Sequence, residues 1–456
     1  MAQMQSFWLT QLNKKNRIMR FSADAKTDIT IVGAGISGIT TAYYLLKDTT
    51  HSVTIVEAQE FARGATGHNA GQLASYFEHS FAQIVKEYGL DAALKAQRDV
   101  VSAWDLIDHI IHQADLKTRP ESFAGFAGCS SIAQLLSHLE NAYLRSKGHV
   151  DISFAYIAND PKILAQIPKK YEPLYSVVSK EHIQKTLETT KTEFIAVLSI
   201  RKGVLNSAKF CEEILAYLTN TYKERFTIFQ KSPVTQIDVQ KTKTVLHINT
   251  KQLTTKHVIL CTNGYTSLSF VQPELTTQFQ SITTGLVGAM CGYERDSPRR
   301  SVAISYFPKN YNREEDAYFY FTRRRLNQKR ALLCIGGPET WLPKSDTYDP
   351  NTMYLPNALK DAKQFLTKTH KFTPATVALK YHWEGLMGFS NTKLRIAGQD
   401  PKHKNLWYNI GCNGVGILSG IYGAKRVSLL IRGKKLKPSI FDPSNAMRKL
   451  QHNSRT

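Results

Sequence analysis

Gly33-Ala34-Gly35-Ile36-Ser37-Gly38 follows directly on a short β-branched run, Asp28–Val32, and opens a stretch in which Ile39, Ala42, Tyr43 and Leu46 recur at helical spacing. A second apolar run, Ser52–Ala58, carries Glu57 nineteen residues beyond Gly38. A strand, a glycine turn, a helix and a second strand of these lengths make a βαβ unit, which commits this part of the chain to a parallel sheet. Each glycine has its own duty. Gly33 permits the tight turn, Gly35 lets the backbone approach a pyrophosphate at the helix N-terminus, and Gly38 lets helix and strand pack closely. Glu57 is placed to accept hydrogen bonds from both ribose hydroxyls, and a 2′-phosphate would be repelled there.

The glycines alone do not separate FAD from NAD. A second small-residue loop, Gly64-Ala65-Thr66-Gly67-His68-Asn69-Ala70-Gly71, is rich in backbone donors and suits an extended flavin cofactor reaching beyond the first turn. A third turn, Gly411–Gly416, again opens a helix and presents donors to a pyrimidine carbonyl. The uncharged runs Ile29–Leu46 and Asn405–Ala424 are long enough to suggest membrane spans, but their glycines and polar residues favour these nucleotide-binding turns.

With 456 residues and 42% hydrophobic content, the chain can build large cores without disulfide staples. Its six cysteines are scattered, with no CxxC and no Cys/His ladder, so neither a disulfide framework nor a metal site is expected. No secretory signal precedes the first strand, and a cytoplasmic location is expected, with organellar import left open by the acid-poor N-terminus. The formal net charge of +22 attracts phosphates or acidic partners, and it is densest after Lys425. No RNA-binding module accompanies it, so nucleic acid is a disfavoured partner.

Helical stripes run from Ser80 to about Ala114, and a further helix begins near Ser207. Strands are expected at Phe226–Phe229, Val234–Val239, Thr244–Ile248 and His257–Cys261, with a hairpin pair at Tyr318–Thr322 and Ala331–Ile335. The expected fold is α/β: a Rossmann-like FAD-binding domain interleaved with a β-rich α+β substrate domain. Residues 28–79, 200–265 and 381–435 are assigned to the first, and 80–199 and 266–380 to the second with a helical cap. Residues 1–27 are assigned to a leader and 436–456 to a basic tail.

The chain resembles the D-amino-acid-oxidase-like family of FAD-dependent oxidoreductases over roughly residues 25–435. The likeness is carried by Ile31–Gly38, Val56-Glu57-Ala58, Gly64–Gly71, Ser232-Pro233-Val234, Leu260–Tyr265, Trp383-Glu384-Gly385 and Gly411–Gly416. Within the family it looks most like the gamma-glutamylputrescine oxidase-like members. The resemblance implies FAD contact by Gly33, Ala34, Gly35, Ile36, Ser37, Gly38, Glu57 and Ala58, by Ala65, Thr66, His68, Asn69, Ala70 and Gly71, by Val234, Thr262, Asn263 and Gly264, and by Gly414, Val415, Gly416 and Ile417. It implies a two-domain flavin fold of the GR2 type and oxidation of a C–N bond, the amine carbon giving a hydride to flavin N5 and water hydrolysing the imine. The partners so implied are a small-molecule amine and oxygen or another electron acceptor.

His68, Tyr265, Tyr320 and Trp383 are the candidate catalytic residues, with Tyr318, Tyr381 and His382 as further pocket liners. His68 stands where the subgroup usually carries Arg, and in some relatives a His in a similar loop is joined covalently to FAD; linked and unlinked forms are both open. In relatives that oxidise simple amino acids an Arg follows the Trp-x-Gly-Leu pattern, whereas here Met387 does. A methionine cannot form a bidentate carboxylate clamp, so simple amino acids are disfavoured unless Arg323, Arg324, Arg325 or Arg395 substitutes. A polyamine-like or larger secondary amine fits better, although a basic surface would not attract a polycation. The competing readings are a tRNA-modifying flavoenzyme and a non-catalytic flavoprotein scaffold.

Overall fold

The computed structural model describes residues 3–13, 18–295, 300–307, 319–342, 348–349, 352–369 and 377–453. The βαβ unit is formed by strand Ala25–Val32, helix Ile36–Asp48 and strand Val53–Val56. Ile29, Thr30, Ile31, Val53 and Ile55 are fully buried, as befits central strands covered on both faces. Strand Lys251–Leu260 runs parallel to Ala25–Val32 on its other side, followed outward by Leu406–Ile410, while Phe226–Phe229 extends the sheet beyond Val53–Val56. The meander Val234–Val239, Thr244–Ile248 and Lys251–Leu260 completes the smaller sheet.

A larger, mostly antiparallel sheet forms the second layer. Its centre is the ladder of Thr283–Arg295 with Arg330–Trp341 and Val377–Phe389. The expected hairpin is present as Phe319–Arg325 against Arg330–Trp341, with Tyr320 opposite Gly336; Tyr318 lies outside the described residues. Val302–Tyr306 joins the hairpin to Glu121–Cys129, which pairs in turn with Ala196–Val204, and the short strand Gln72–Ala74 adds to the last through Val204 and Gly203. The architecture is therefore a Rossmann-like layer beside a β-rich substrate layer. No helix among the described residues is long and apolar enough to cross a membrane.

Two of the sequence-assigned boundaries cut through strands, and both terminal segments are docked. The boundaries at 200 and 381 fall inside strands Ala196–Val204 and Val377–Phe389, both of which belong to the larger sheet because their ladders are continuous. The leader is docked: Gln3–Met4 pairs in parallel with Tyr381 and His382, and Phe7, Trp8 and Leu9 are buried. The tail is docked as well. Ile440, Phe441 and Ala446 are buried, and Arg426 pairs with Asp442 at 2.5 Å. Part of the basic C-terminal charge is thereby neutralised, since Lys425 and Arg432 reach Asp48 and Lys449 reaches Glu87.

Candidate functional site

The glycine turn has the geometry its sequence demands. Gly33 sits at φ +107, a conformation an L side chain rarely adopts, and its N–H donates to Val56 O at 2.9 Å. Gly38 faces it so closely that a Cβ there would overlap Gly33 O. Glu57 closes the turn: its carboxylate accepts from Ala34 N at 2.7 Å and from Gln59 N at 2.8 Å. Burial raises its pKa, against the opposing pull of those backbone donors.

The second loop is tied to the first. Thr66 Oγ1 accepts from Ile36 N at 2.9 Å. Asn69 donates from Nδ2 to Ala65 O, Thr66 O and Ser207 Oγ, and accepts from Gly71 N at 2.7 Å. His68 Nδ1 lies 3.1 Å from Gly64 O, and burial lowers the pKa of the ring. A neutral imidazole in contact with a carbonyl oxygen must carry its proton on Nδ1, which leaves Nε2 with a free lone pair.

The third turn is held by two asparagines in the left-handed region, Asn263 at φ +54 and Asn413 at φ +47. Asn263 Oδ1 accepts from Cys412 N, and Asn413 Oδ1 from Ser390 N. Arg395 bridges the first and third turns, donating to Ser37 Oγ, Asn409 O and Gly416 O. Burial lowers its pKa to about 10, so it stays cationic at neutral pH.

These three turns line one end of a cavity of about 790 Å³ that continues into the larger sheet. Of the residues singled out in the sequence, Gly33, Gly35, Ile36, Ser37, Glu57, Ala58, Ala65, Thr66, His68, Asn69, Ala70, Val234, Thr262, Asn263, Gly414, Val415, Gly416 and Ile417 reach its wall, as do Tyr265 and Tyr320. Ala34, Gly38, Gly71 and Gly264 do not; they support the wall from behind, Gly264 by close packing on Gly388.

Trp383 is the clear departure among the catalytic candidates. It is 4% exposed, shares a core with Phe7 and Trp8, and does not line the cavity. The docked N-terminal segment covers its part of the strand, and Tyr381 packs edge-on against Phe7 at 5.5 Å. Arg323 is not a substrate clamp either. Its guanidinium is fully buried between Glu188, held bidentately at 2.8 and 2.6 Å, and Glu294 at 2.7 Å.

Sequence reasoning missed the polar groups of the far end of the cavity. Leu198, Ile200 and Lys202 reach it at period two from one strand, with Gln72, Glu78, Glu339 and Arg145. The signal was a lysine on the same side of the strand as Leu198 and Ile200. Lys202 Nζ donates to Gln72 Oε1 at 2.7 Å, and burial pushes its pKa down from 10.5 to about 8.

That shift gives a pH prediction. Below pH 8 the ammonium is buried in the folded chain and solvated in the unfolded one, so the fold carries the full cost. Above 10.5 both states are neutral and the cost is gone. Lys202→Met is therefore expected to be more stable than the parent chain by about 2–3 kcal/mol at neutral pH. The difference should shrink steadily between pH 8 and 10.5. Urea unfolding of both proteins across this range measures it, and a constant difference would refute the assignment.

Among the described residues no group of three or more His, Cys, Asp or Glu is arranged to hold a metal ion. All six cysteines are free, Cys291 and Cys334 facing each other across two strands.

Comparison with known proteins agrees with this geometry. Residues 28–430 match the family described as DAO, FAD dependent oxidoreductase. Gamma-glutamylputrescine oxidoreductase of Escherichia coli (strain K12) is 23% identical over 430 residues, covering 94% of this chain and 89% of that protein. Glycine oxidase from Geobacillus kaustophilus superimposes with a TM-score of 0.66 at 15% identity, over 91% of this chain and 98% of that one. L-Proline dehydrogenase from P. horikoshii superimposes with a TM-score of 0.65 at 15% identity, over 93% and 99% of the respective chains.

Proposed function

Because this chain belongs to the DAO family of FAD dependent oxidoreductases, we propose that it oxidises the C–N bond of an amine or amino-acid derivative too large to be held by a clamp beside the reacting carbon. The observation that carries this reading is the single cavity running from the dinucleotide turn to a polar pocket around Lys202, Glu78 and Tyr320. FAD fits the residues present. The turn at Gly33–Gly38 leaves backbone donors and no Cβ in the path of a pyrophosphate, Arg395 adds a buried cation without a carboxylate partner among its hydrogen bonds, and Glu57 offers its oxygens to a ribose. When bound, FAD supplies the two-electron acceptor for a hydride leaving the carbon next to nitrogen.

The chain's own contribution is binding, orientation and control of protons. The loop 64–71 and the turn 411–416 orient the reacting face from two sides. His68 offers an unprotonated Nε2 at neutral pH. Lys202 Nζ keeps a proton that titrates near pH 8 within reach of Gln72 Oε1. Leu386 and Met387 give an apolar wall where an α-carboxylate clamp would have to stand, which supports a larger amine over glycine-like substrates. The similar proteins are named for gamma-glutamylputrescine, glycine and L-proline, all of them amines, and this supports the class.

The test is anaerobic. Purified, flavin-loaded protein is mixed with a panel of primary, secondary and acylated diamines, amino acids and N-methylated amines while the visible absorption is followed. Bleaching by a larger amine and not by glycine is the expected result. A yellow protein inert to every amine would overturn the reading. Acid precipitation of the same sample tells linked from unlinked flavin, because a linked flavin stays with the pellet.

A further inference from the structure

Helix Ile132–Ser146 runs along the cavity, presenting Ser137, Asn141 and Arg145 on one face at successive intervals of four residues. Arg145 is 6% exposed and forms part of the cavity wall. Its Nε–H is buried without a hydrogen-bond partner, and no ion pair among the described residues reaches its guanidinium, which lies 5.2 Å from the centre of the Phe81 ring. Burial lowers its pKa only to about 10, so it is charged at neutral pH. His138, two turns earlier, adds no second positive charge: burial and the Arg145 charge hold it neutral, with its pKa lowered to about 4. Asp151 offsets part of that burial through its charge without an ion pair to the guanidinium, and a buried cation so incompletely paired, in the wall of a cavity, is stabilised further by an anion that enters.

We infer that Arg145 is an anion-binding subsite of the substrate cavity and takes the carboxylate of an amine whose acid lies several bonds from the oxidised C–N bond. The inference rests on the amine-oxidising reading and gives it a substrate class, an ω-amino acid or an N-acylated diamine bearing a free carboxylate. It also accounts for Met387. A substrate whose carboxylate is held on the helix needs no guanidinium next to the reacting carbon. Asn141 is the weaker group for this role: its Oδ1 accepts from Ser80 Oγ and Ala82 N, which leaves only a neutral Nδ2 to donate to an anion. The planar fork of Arg145 matches a carboxylate bidentately, which a lone amide does not.

The experiment is a calorimetric titration of the flavin-loaded protein with hexanoate and with hexanamide, which share a chain and differ in charge. The parent protein is expected to bind the acid roughly ten- to a hundredfold more tightly than the amide, the range for a charge-assisted hydrogen-bonded pair. In Arg145→Gln that preference should disappear, with affinity for the amide unchanged. Arg145→Lys keeps the charge and should retain a reduced preference, so it decides the matter should the glutamine variant fail to hold flavin. Equal binding of acid and amide by the parent protein, or an undiminished preference in either variant, would overturn the inference. The readout needs no turnover. A preference lost in Arg145→Gln together with inertness to all amines keeps the subsite and removes the oxidation reading. Bleaching by amines with an unaltered preference does the reverse.

Discussion

Gly38→Ala is expected to give a chain that retains no FAD. A Cβ at this position would overlap Gly33 O and approach Ile31 Cγ2 to 3.2 Å. Neither neighbour can yield cheaply. Gly33 is fixed at φ +107 with its N–H on Val56 O, and Ile31 is a fully buried residue of the central strand. The helix cannot withdraw either, since Ile39, Ala42, Tyr43 and Leu45 are buried in the same core. The overlap with backbone is therefore met by lifting the helix start, which moves the donor of Gly35 away from its ligand and pulls Ile36 N from Thr66 Oγ1. A cost of about 3–5 kcal/mol to the fold is expected, at the severe end for one substitution. Flavin affinity should fall by more than about a hundredfold. Gly433→Ala is the comparison. Gly433 also has a positive φ, +75, but nothing lies within 4 Å of its would-be Cβ. It should lose about 1 kcal/mol and keep its flavin. Chemical denaturation and the flavin absorbance of the purified variants measure both effects. A fully yellow Gly38→Ala protein with parental stability would show that the turn is not built as described.

The residues that were legible in the sequence are those whose chemistry is local. The turn at 33–38, the loop at 64–71 and the turn at 411–416 each carry their own glycines and small residues in one short run, and each is found at the cavity. The far end of the cavity has no such signature, because it is assembled from single residues of separate elements. Lys202 is one residue of a strand with alternating sides, and Arg145 looks like an ordinary basic residue in the last turn of an amphipathic helix. Only the packing of that helix over the sheet makes it a lining residue. Arg323 shows the opposite case. In the run Arg323-Arg324-Arg325 it reads as surface charge, yet its partners Glu188 and Glu294 lie 135 and 29 residues away and bury it completely. Trp383 was drawn toward the cavity by its motif, and what displaces it is the N-terminal segment, whose Phe7, Trp8 and Leu9 carry no periodicity long enough to announce a docked element.

That segment is the basis of the second large effect. Trp8→Ala is expected to destabilise the protein by about 3–5 kcal/mol, the range for removing a buried Trp, and to release flavin before the rest of the chain unfolds. The indole is 1% exposed and stands where a side chain on Gly71 would be, its Cζ2 2.5 Å from a Cβ built there. Its Nε1 donates to Asn69 O at 2.6 Å, and Ser6 Oγ donates to Gly67 O. Leu9 fills the corresponding space over Gly67. From the other side, Gly385 lies so close to His68 O that it too tolerates no Cβ. The loop 64–71 is thus gripped between the N-terminal turn and the 377–389 strand, and the pairing of Gln3–Met4 with Tyr381 and His382 ties the two jaws together. Trp8→Phe separates packing from hydrogen bonding: it keeps most of the apolar contact, loses the donor to Asn69, and should cost about 1–2 kcal/mol. Stability is read from urea unfolding and loop order from the flavin visible band, followed in the same titration. If the two signals change together in Trp8→Ala as they do in the parent protein, the segment stabilises the whole fold without holding the loop in particular. If the flavin band is lost at lower urea than the far-ultraviolet signal, the N-terminus is the outer wall of the flavin site, although it lies some sixty residues from the loop it holds.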